Sequence, residues 1–314
     1  MMKNYQFNLI PATISKPLSD NTCLEKRPFI DNNSTFEKDA QKFIAGDQLA
    51  DAMNTAIAVG KPLLLTGEPG TGKTQAAYFA ARHLNVKCFH FQVKSDSTAR
   101  DLLYDFDMVQ YFGDAHLKRM QGAKIKLDKR NYIQKRPFWK AIDCAKEKKV
   151  PQILLIDEID KAPRDFPNDL LHELDQMEFS ILDTDQKIAA PPHLRPIVFI
   201  TSNSERRLPD PFLRRCVYHH IVFNDDILRQ IVYSRKKEFS NLDDDCLEKA
   251  LNKFLDLRDK PLRKKPATSE LLLWLNVLSL SFGNEQQQLK DTLINAKLPY
   301  LNVLLKDHQD IEEI

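Results

Sequence analysis

The chain has little glycine, only eight in 314 residues, and five cysteines at Cys23, Cys88, Cys144, Cys216 and Cys246. The cysteines are odd in number, and no two stand at metal-ligand or Cys-x-x-Cys spacing. This argues against a disulfide frame or a zinc site and for free thiols in a reducing compartment. Long apolar runs are also missing. The longest, Leu271 to Phe282, is broken by Asn276, Ser279 and Ser281 and is too short to cross a bilayer. Met1 to Tyr5 leads into Pro11 without an apolar core of signal-peptide length. The expectation is a soluble, cytoplasmic protein with no membrane insertion. Charge of one sign is lacking too: 46 Lys+Arg against 44 Asp+Glu leave +2. A globally basic nucleic-acid coat is not indicated, while a local patch stays open.

What is present is ordinary globular usage, 42% hydrophobic and 29% charged, which excludes disorder throughout. The length suits two domains, or one large domain with an appendage. Residues 1–40 are polar, carry Pro11, Pro17 and Pro28, and read as an extended N-terminal arm or a disordered tail. From Asp47 the pattern is helical, with Leu49, Met53, Ala56 and Ile57 on one face and a stop at Gly60. Pro62–Thr66 then reads as a buried strand, and Ala76, Phe79, Ala80 and Leu84 recur at helical spacing. Further buried strands are expected at Val86–Phe91, Gln152–Ile156, Ile197–Thr201 and Val217–Val222, with helices at Trp139–Lys149 and Asn168–Met177 between them. Alternation of this kind implies an α/β sandwich on a mainly parallel sheet. Beyond Asn224 only helical faces remain, such as Leu271, Trp274, Leu275 and Leu278. The expected organisation is the arm at 1–40, an α/β domain at 41–223 and an all-helical domain at 224–314. Two stretches read as insertions. Residues 100–136 carry Lys118, Arg119, Lys124, Lys126, Lys129, Arg130, Lys135 and Arg136, and residues 179–195 suggest a hairpin with an Asp183–Gln186 tip.

The scarce glycine is concentrated where chemistry is expected. Gly67-Glu68-Pro69-Gly70-Thr71-Gly72-Lys73-Thr74 satisfies GxxxxGK[ST], between a strand and a helix. Such a loop turns bare backbone N–H groups toward phosphate oxygens, and the following helix adds its positive end. Lys73 would neutralise the β- and γ-phosphates, and the Thr74 hydroxyl would ligate Mg²⁺. Ile153–Ile156 ends in Asp157-Glu158. Asp157 suits the Mg²⁺-organising role, through water, and Glu158 can polarise an attacking water. A third buried strand ends at Asn203, whose amide can hold that water; a turn-forming Asn is the plainer alternative. Within Leu208–Cys216, Arg215 or Arg214 could reach a neighbouring subunit's γ-phosphate, against the plainer reading of a surface ion pair.

In this order the motifs GEPGTGKT, LLIDEIDKA, FITSN and LPDPFLRRC resemble those of AAA+ ATPases. Ala45-Gly46-Asp47, Gly60-Lys61-Pro62 and Leu102-Leu103-Tyr104-Asp105 narrow the resemblance to the MoxR type, over about residues 41–282. The resemblance implies a P-loop three-layer sandwich with a five-stranded parallel sheet and a helical lid. It also implies a ring, usually a hexamer, that hydrolyses ATP at subunit interfaces. Lys73, Thr74, Asp157, Glu158 and Asn203 would carry the P-loop, Walker B and first-sensor roles, and Arg215 would be the finger acting in trans. MoxR-like ATPases typically remodel protein partners, often ones with von Willebrand A domains. One departure stands out: Glu270 occupies the place of the family's second-sensor arginine, with Arg263, Lys264 and Lys265 the nearest cations in sequence. Two rival readings are a DNA-linked AAA+ motor or loader using the basic insert 118–136, and a nucleotide-locked assembly scaffold. His219-His220, on a strand, should point to opposite faces and not form a metal site.

Overall fold

The computed structural model describes residues 36–120, 127–203, 205–282, 285–295 and 298–314. Most of the expected N-terminal arm, along with Lys124 and Lys126 of the basic insert, therefore lies outside the described residues. The chain divides into two compact units, and residues 36–223 and 224–314 fall on either side of that division.

In the first unit, α1 (Asp47–Val59) stops at Gly60 in the left-handed conformation, whose N–H closes the helix on the Ala56 and Ile57 carbonyls. Then come β1 (Leu63–Gly67), α2 (Lys73–His83), β2 (Cys88–Gln92), α3 (Ala99–Leu103), β3 (Tyr104–Phe106), α4 (Met108–Met120) and β4 (Ile133–Lys135). They are followed by α5 (Pro137–Lys148), β5 (Ile153–Asp157), α6 (Leu171–Gln176), β6 (Glu178–Ile181) and β7 (Gln186–Ala189). The unit closes with β8 (Ile197–Ser202), the short α7 (Asp210–Leu213) and β9 (Val217–Ile221). Five strands form one parallel sheet in the order β2-β5-β8-β1-β9.

Side-chain alternation divides this sheet between two cores. Leu64, Leu154, Ile156, Val198 and Ile200 face Phe138 and Ile142 of α5 and Phe179 and Ile181 of the β6–β7 hairpin. Leu63, Leu65, Ile153, Leu155 and Phe199 face Leu49 and Met53 of α1 and the alanine row Ala76, Ala77, Ala80 and Ala81 of α2. Small alanines let α2 lie close to the sheet, which brings its first turn to the ends of β1 and β5. The result is helix, sheet and helix in three layers, with every strand pointing its C-terminal end toward one edge.

Three expectations shift in detail. β2 begins two residues late because it is an edge strand with no fully buried side chain, so its apolar signal is weak. The single helix expected at Asn168–Met177 is two short pieces, Phe166–Asp169 and Leu171–Gln176. The insert at 100–136 holds α3, α4 and the antiparallel pair β3–β4. The 179–195 insert does contain a hairpin, β6–β7. On β9, His219 is half-buried and His220 exposed, the alternation expected of a strand.

The second unit is helical: α8 (Asp225–Ser234), α9 (Asp244–Asp259), α10 (Thr268–Phe282), α11 (Gln286–Asn295) and α12 (His308–Glu312), with a short turn at Leu301–Leu304. Its core includes Leu247, Leu251, Phe254, Leu271, Trp274 and Leu278, all fully buried, and the Trp274 indole N–H donates to the Pro299 carbonyl at 2.7 Å. Asn224 and Asp243 cap α8 and α9 by accepting the N–H groups of Ile227 and Cys246. Glu270 accepts the Ala267 N–H at 3.0 Å and the Ser269 hydroxyl at 2.9 Å. It thus occupies the third position of α10 as the acidic half of a capping box. Among the described residues no helix is long and apolar enough to cross a membrane.

Candidate active site

The loop after β1 needs bare backbone at two places. Gly67 has φ +147°, and a Cβ there would stand 2.6 Å from the Ile221 carbonyl oxygen of β9. Gly72 has φ +90°, and a Cβ there would stand 2.8 Å from the Phe43 ring. The Thr71 hydroxyl donates to the Glu68 carbonyl at 2.8 Å, tightening the turn while Glu68, Pro69 and Gly70 form its exposed rim. Gly72 also marks the start of α2, so the helix's positive end opens into the loop.

Lys73 is buried, and its ammonium donates to the Gly67 and Glu68 carbonyls at 2.9 and 2.8 Å. Burial lowers its pKa, while Asp160, Asp157, Glu158 and Glu68 pull the other way. A buried cation curled into a glycine-rich loop suits a polyanion that would take over those bonds. The loop therefore fits a triphosphate.

Asp157 ties three elements together. Its Oδ1 accepts the Thr74 hydroxyl of α2 at 2.8 Å and the Thr201 hydroxyl of β8 at 2.5 Å. Its Oδ2 lies 3.2 Å from His90 Nε2 of β2, and His90 Nδ1 lies 3.1 Å from the Tyr78 hydroxyl. Burial alone would raise the carboxyl pKa, but the bonds from His90, Thr201 and Thr74 outweigh it and hold the group below its ordinary value. The carboxylate is thus kept ionised beside the Thr74 hydroxyl, the oxygen pair that a divalent cation or its water shell requires.

Glu158 sits in the left-handed region at φ +58°, a conformation uncommon for a residue with a side chain. Its N–H donates to the Thr201 hydroxyl at 2.8 Å, the same hydroxyl that serves Asp157. This turn swings the Glu158 carboxylate away from Asp157. Its Oε2 receives Gln92 Nε2 at 2.6 Å and Lys161 Nζ at 2.5 Å, and Asn203 Nδ2 lies 3.4 Å from Oε1. Lys73, Thr74, Asp157, Glu158 and Asn203 therefore gather at one edge of the sheet. Arg214 and Arg215 make no bond to this cluster. Arg215 pairs with Asp175 at 2.5 Å and donates to the Pro211 carbonyl at 2.8 Å, while Arg214 is exposed.

His90, Gln92, Asp160 and Thr201 are functional-site neighbours that the sequence motifs did not single out. His90 and Gln92 share one face of β2 and become readable once β2 is known to lie beside β5, where Gln92 is level with Asp157. Thr201 belongs to the β8 motif but carries no signal of its own.

Residues 62–216 match the family described as AAA domain (dynein-related subfamily). This segment is an AAA+ ATPase module. The chain also has relatives among Lon proteases. It is 29% identical over 207 residues to the mitochondrial Lon protease homolog of Drosophila melanogaster, covering 63% of this chain and 17% of that protein. It is 31% identical over 179 residues to the human mitochondrial homolog, covering 55% of this chain and 16% of that one. Against the Lon protease of Finegoldia magna it is 28% identical over 220 residues, covering 68% and 25%. The matched stretch thus spans a quarter or less of these relatives' lengths. The solved structure of a presumed ATPase from Cytophaga hutchinsonii aligns over 88% of both chains at 14% identity, with a TM-score of 0.42, too low to add weight.

Proposed function

We propose that this AAA+ ATPase hydrolyses Mg–ATP between neighbouring subunits of a ring and uses the cycle to remodel a protein partner, in the manner of MoxR-like ATPases. The observation that carries the hydrolytic half is the division of labour between adjacent carboxylates. Asp157 is fixed and ionised beside Thr74, whereas Glu158 is turned out on a left-handed residue toward Asn203. Bound magnesium would screen the charge of the β- and γ-phosphates. Lys73 and the amides around Gly67–Gly72 hold the phosphate chain in place. Glu158 accepts a proton from water as Asn203 orients it, and the water attacks in line with the departing diphosphate. Glu158 is meanwhile bonded to Gln92 and Lys161, so it must give up at least one partner to work as a base.

Charge left on the transferring phosphoryl needs a further cation, which a neighbour's Arg215 or Arg214 would supply. Arg215 would have to leave Asp175 first, whereas Arg214 is exposed and shows no such tie among the described residues. A ring follows from this requirement: each site is incomplete alone, so specific activity should rise with protein concentration.

For a protein client against a nucleic acid, one feature weighs. In the basic insert Arg130, Lys135 and Arg136 are paired with Asp128, Asp143 and Asp105. Beside them α4 exposes Val109, Phe112, Leu117 and Met120 on one side. Apolar exposure beside these paired cations suits protein better than phosphate backbone. The deciding experiment is ATP turnover and nucleotide binding in Glu158→Gln. Loss of turnover with binding kept supports the assignment, and a wild-type rate would overturn it. If Glu158→Gln kept full function toward a partner, the nucleotide-locked scaffold would replace it.

A further inference from the structure

Asp160 is 3% exposed, in the single turn Ile159–Lys161 that follows Glu158. A carboxylate this deep needs donors, because an unpaired buried charge is costly. Its donors among the described residues are backbone amides of one loop. The Asn203 N–H reaches Oδ1 at 3.3 Å and Oδ2 at 3.1 Å, and the Glu205 N–H reaches Oδ2 at 3.0 Å. Bonds from amides to an ionised acceptor are about twice as strong as neutral ones.

A cavity of about 900 Å³, lined by Ile159, Ala162, Arg206 and Leu208 among others, runs between the turn and the loop. The loop's further tie across it is Arg206 Nη1 to the Ala162 carbonyl at 3.2 Å. Asn203 follows directly on Ser202, the last residue of β8, and beyond that point its own N–H is held by Asp160. The turn bearing Glu158 and the loop bearing Asn203 are joined through the Asp160 carboxylate.

We infer that Asp160 is a positioning residue that sets the separation of Glu158 and Asn203, and through it the seat of the attacking water. This rests on the hydrolytic reading of Glu158 above. Asp160 acts through the backbone of Asn203, whose N–H its carboxylate accepts. Displacing a reacting geometry by about 1 Å costs on the order of a hundredfold in rate.

The experiment uses the full chain with Mg–ATP. Asp160→Asn keeps the shape but turns an amide NH₂ toward an N–H donor. The expected result is a kcat lowered roughly tenfold to a hundredfold, with KM and the affinity for a fluorescent ATP analogue nearly unchanged. A general structural defect would move binding as well. Combined with Asn203→Ala, the double variant should be no slower than Asn203→Ala alone, since both remove one arrangement. Losses that multiply, or a wild-type kcat in Asp160→Asn, overturn the inference. Where Asp160→Asn does not fold, Asp160→Glu keeps the charge one methylene too far. It should lower kcat in the same non-multiplying way, and multiplied losses there refute the proposal equally. Failure of the parent reading is distinct: it shows as a Glu158→Gln variant that turns over normally, whatever Asp160 does.

Discussion

Three glycines, each changed to alanine, separate backbone strain from collision. Gly67 combines φ +147° with a would-be Cβ 2.6 Å from the Ile221 carbonyl oxygen. The strained backbone costs about 1–3 kcal/mol, and overfilling against an atom of the β9 backbone adds about 1–3 kcal/mol. Gly60 has φ +64° with nothing within 4 Å of the added carbon, so only the left-handed penalty of about 1–2 kcal/mol remains. Gly113 lies within α4 with open space around it, and alanine there should gain about 0.5–1 kcal/mol. One kcal/mol moves the melting point by about 2–4 °C in a unit of this size. Differential scanning calorimetry should then rank Gly113→Ala above wild type, Gly60→Ala slightly below it, and Gly67→Ala lowest. Binding of a fluorescent ATP analogue should fail selectively in Gly67→Ala, because β9 or the phosphate loop must shift to admit the methyl group. A Gly67→Ala protein that melts with Gly60→Ala and binds nucleotide normally would refute the steric account of the loop.

Lys161→Ala removes one of the groups holding Glu158, so basal ATP turnover in a coupled phosphate-release assay should rise severalfold; an unchanged rate would mean that this ion pair does not restrain the base. Glu270→Ala should destabilise the helical unit by about 1 kcal/mol through loss of the α10 cap, while turnover stays near wild type; loss of turnover without a stability change would point to a nucleotide-facing role instead. The Asp243 carboxyl is held at about 2, chiefly by the Lys290 ammonium and also by the Cys246 N–H, against an ordinary value of 3.8. A depressed folded pKa gives stability that is complete above the unfolded value and is lost as pH falls through the folded one. Urea unfolding of the second unit between pH 4 and pH 2 should therefore be less steeply pH-dependent in Asp243→Asn than in wild type, and parallel curves would count against the pair. Solvent screening keeps this effect small.

The sheet was legible because its central strands are runs of apolar residues that alternate between two cores, as Leu63–Leu65 and Ile153–Ile156 do. β2 was blurred because an edge strand needs less apolar character, and its His90 and Gln92 face the site instead of a core. The phosphate loop and the Asp157–Glu158 pair could be read since each is contiguous in the chain. The pairing of Arg215 with Asp175 and the bonds from Asp160 to the Asn203 loop span about forty residues of sequence, and nothing local encodes them. The Glu270 departure acquires a local meaning, since the same side chain closes the first turn of its own helix.

Phe43 rests against Gly72 and tilts onto Phe79, with ring centroids 5.4 Å apart. The family match begins at residue 62, well after this ring. A fragment cut at the family boundary would strip an aromatic cover from the phosphate loop and remove α1, with Leu49 and Met53, from the sheet face that Leu63 and Leu65 present. Expression boundaries chosen for nucleotide work should accordingly begin no later than Phe36, whose ring stacks on Tyr78 at 5.1 Å.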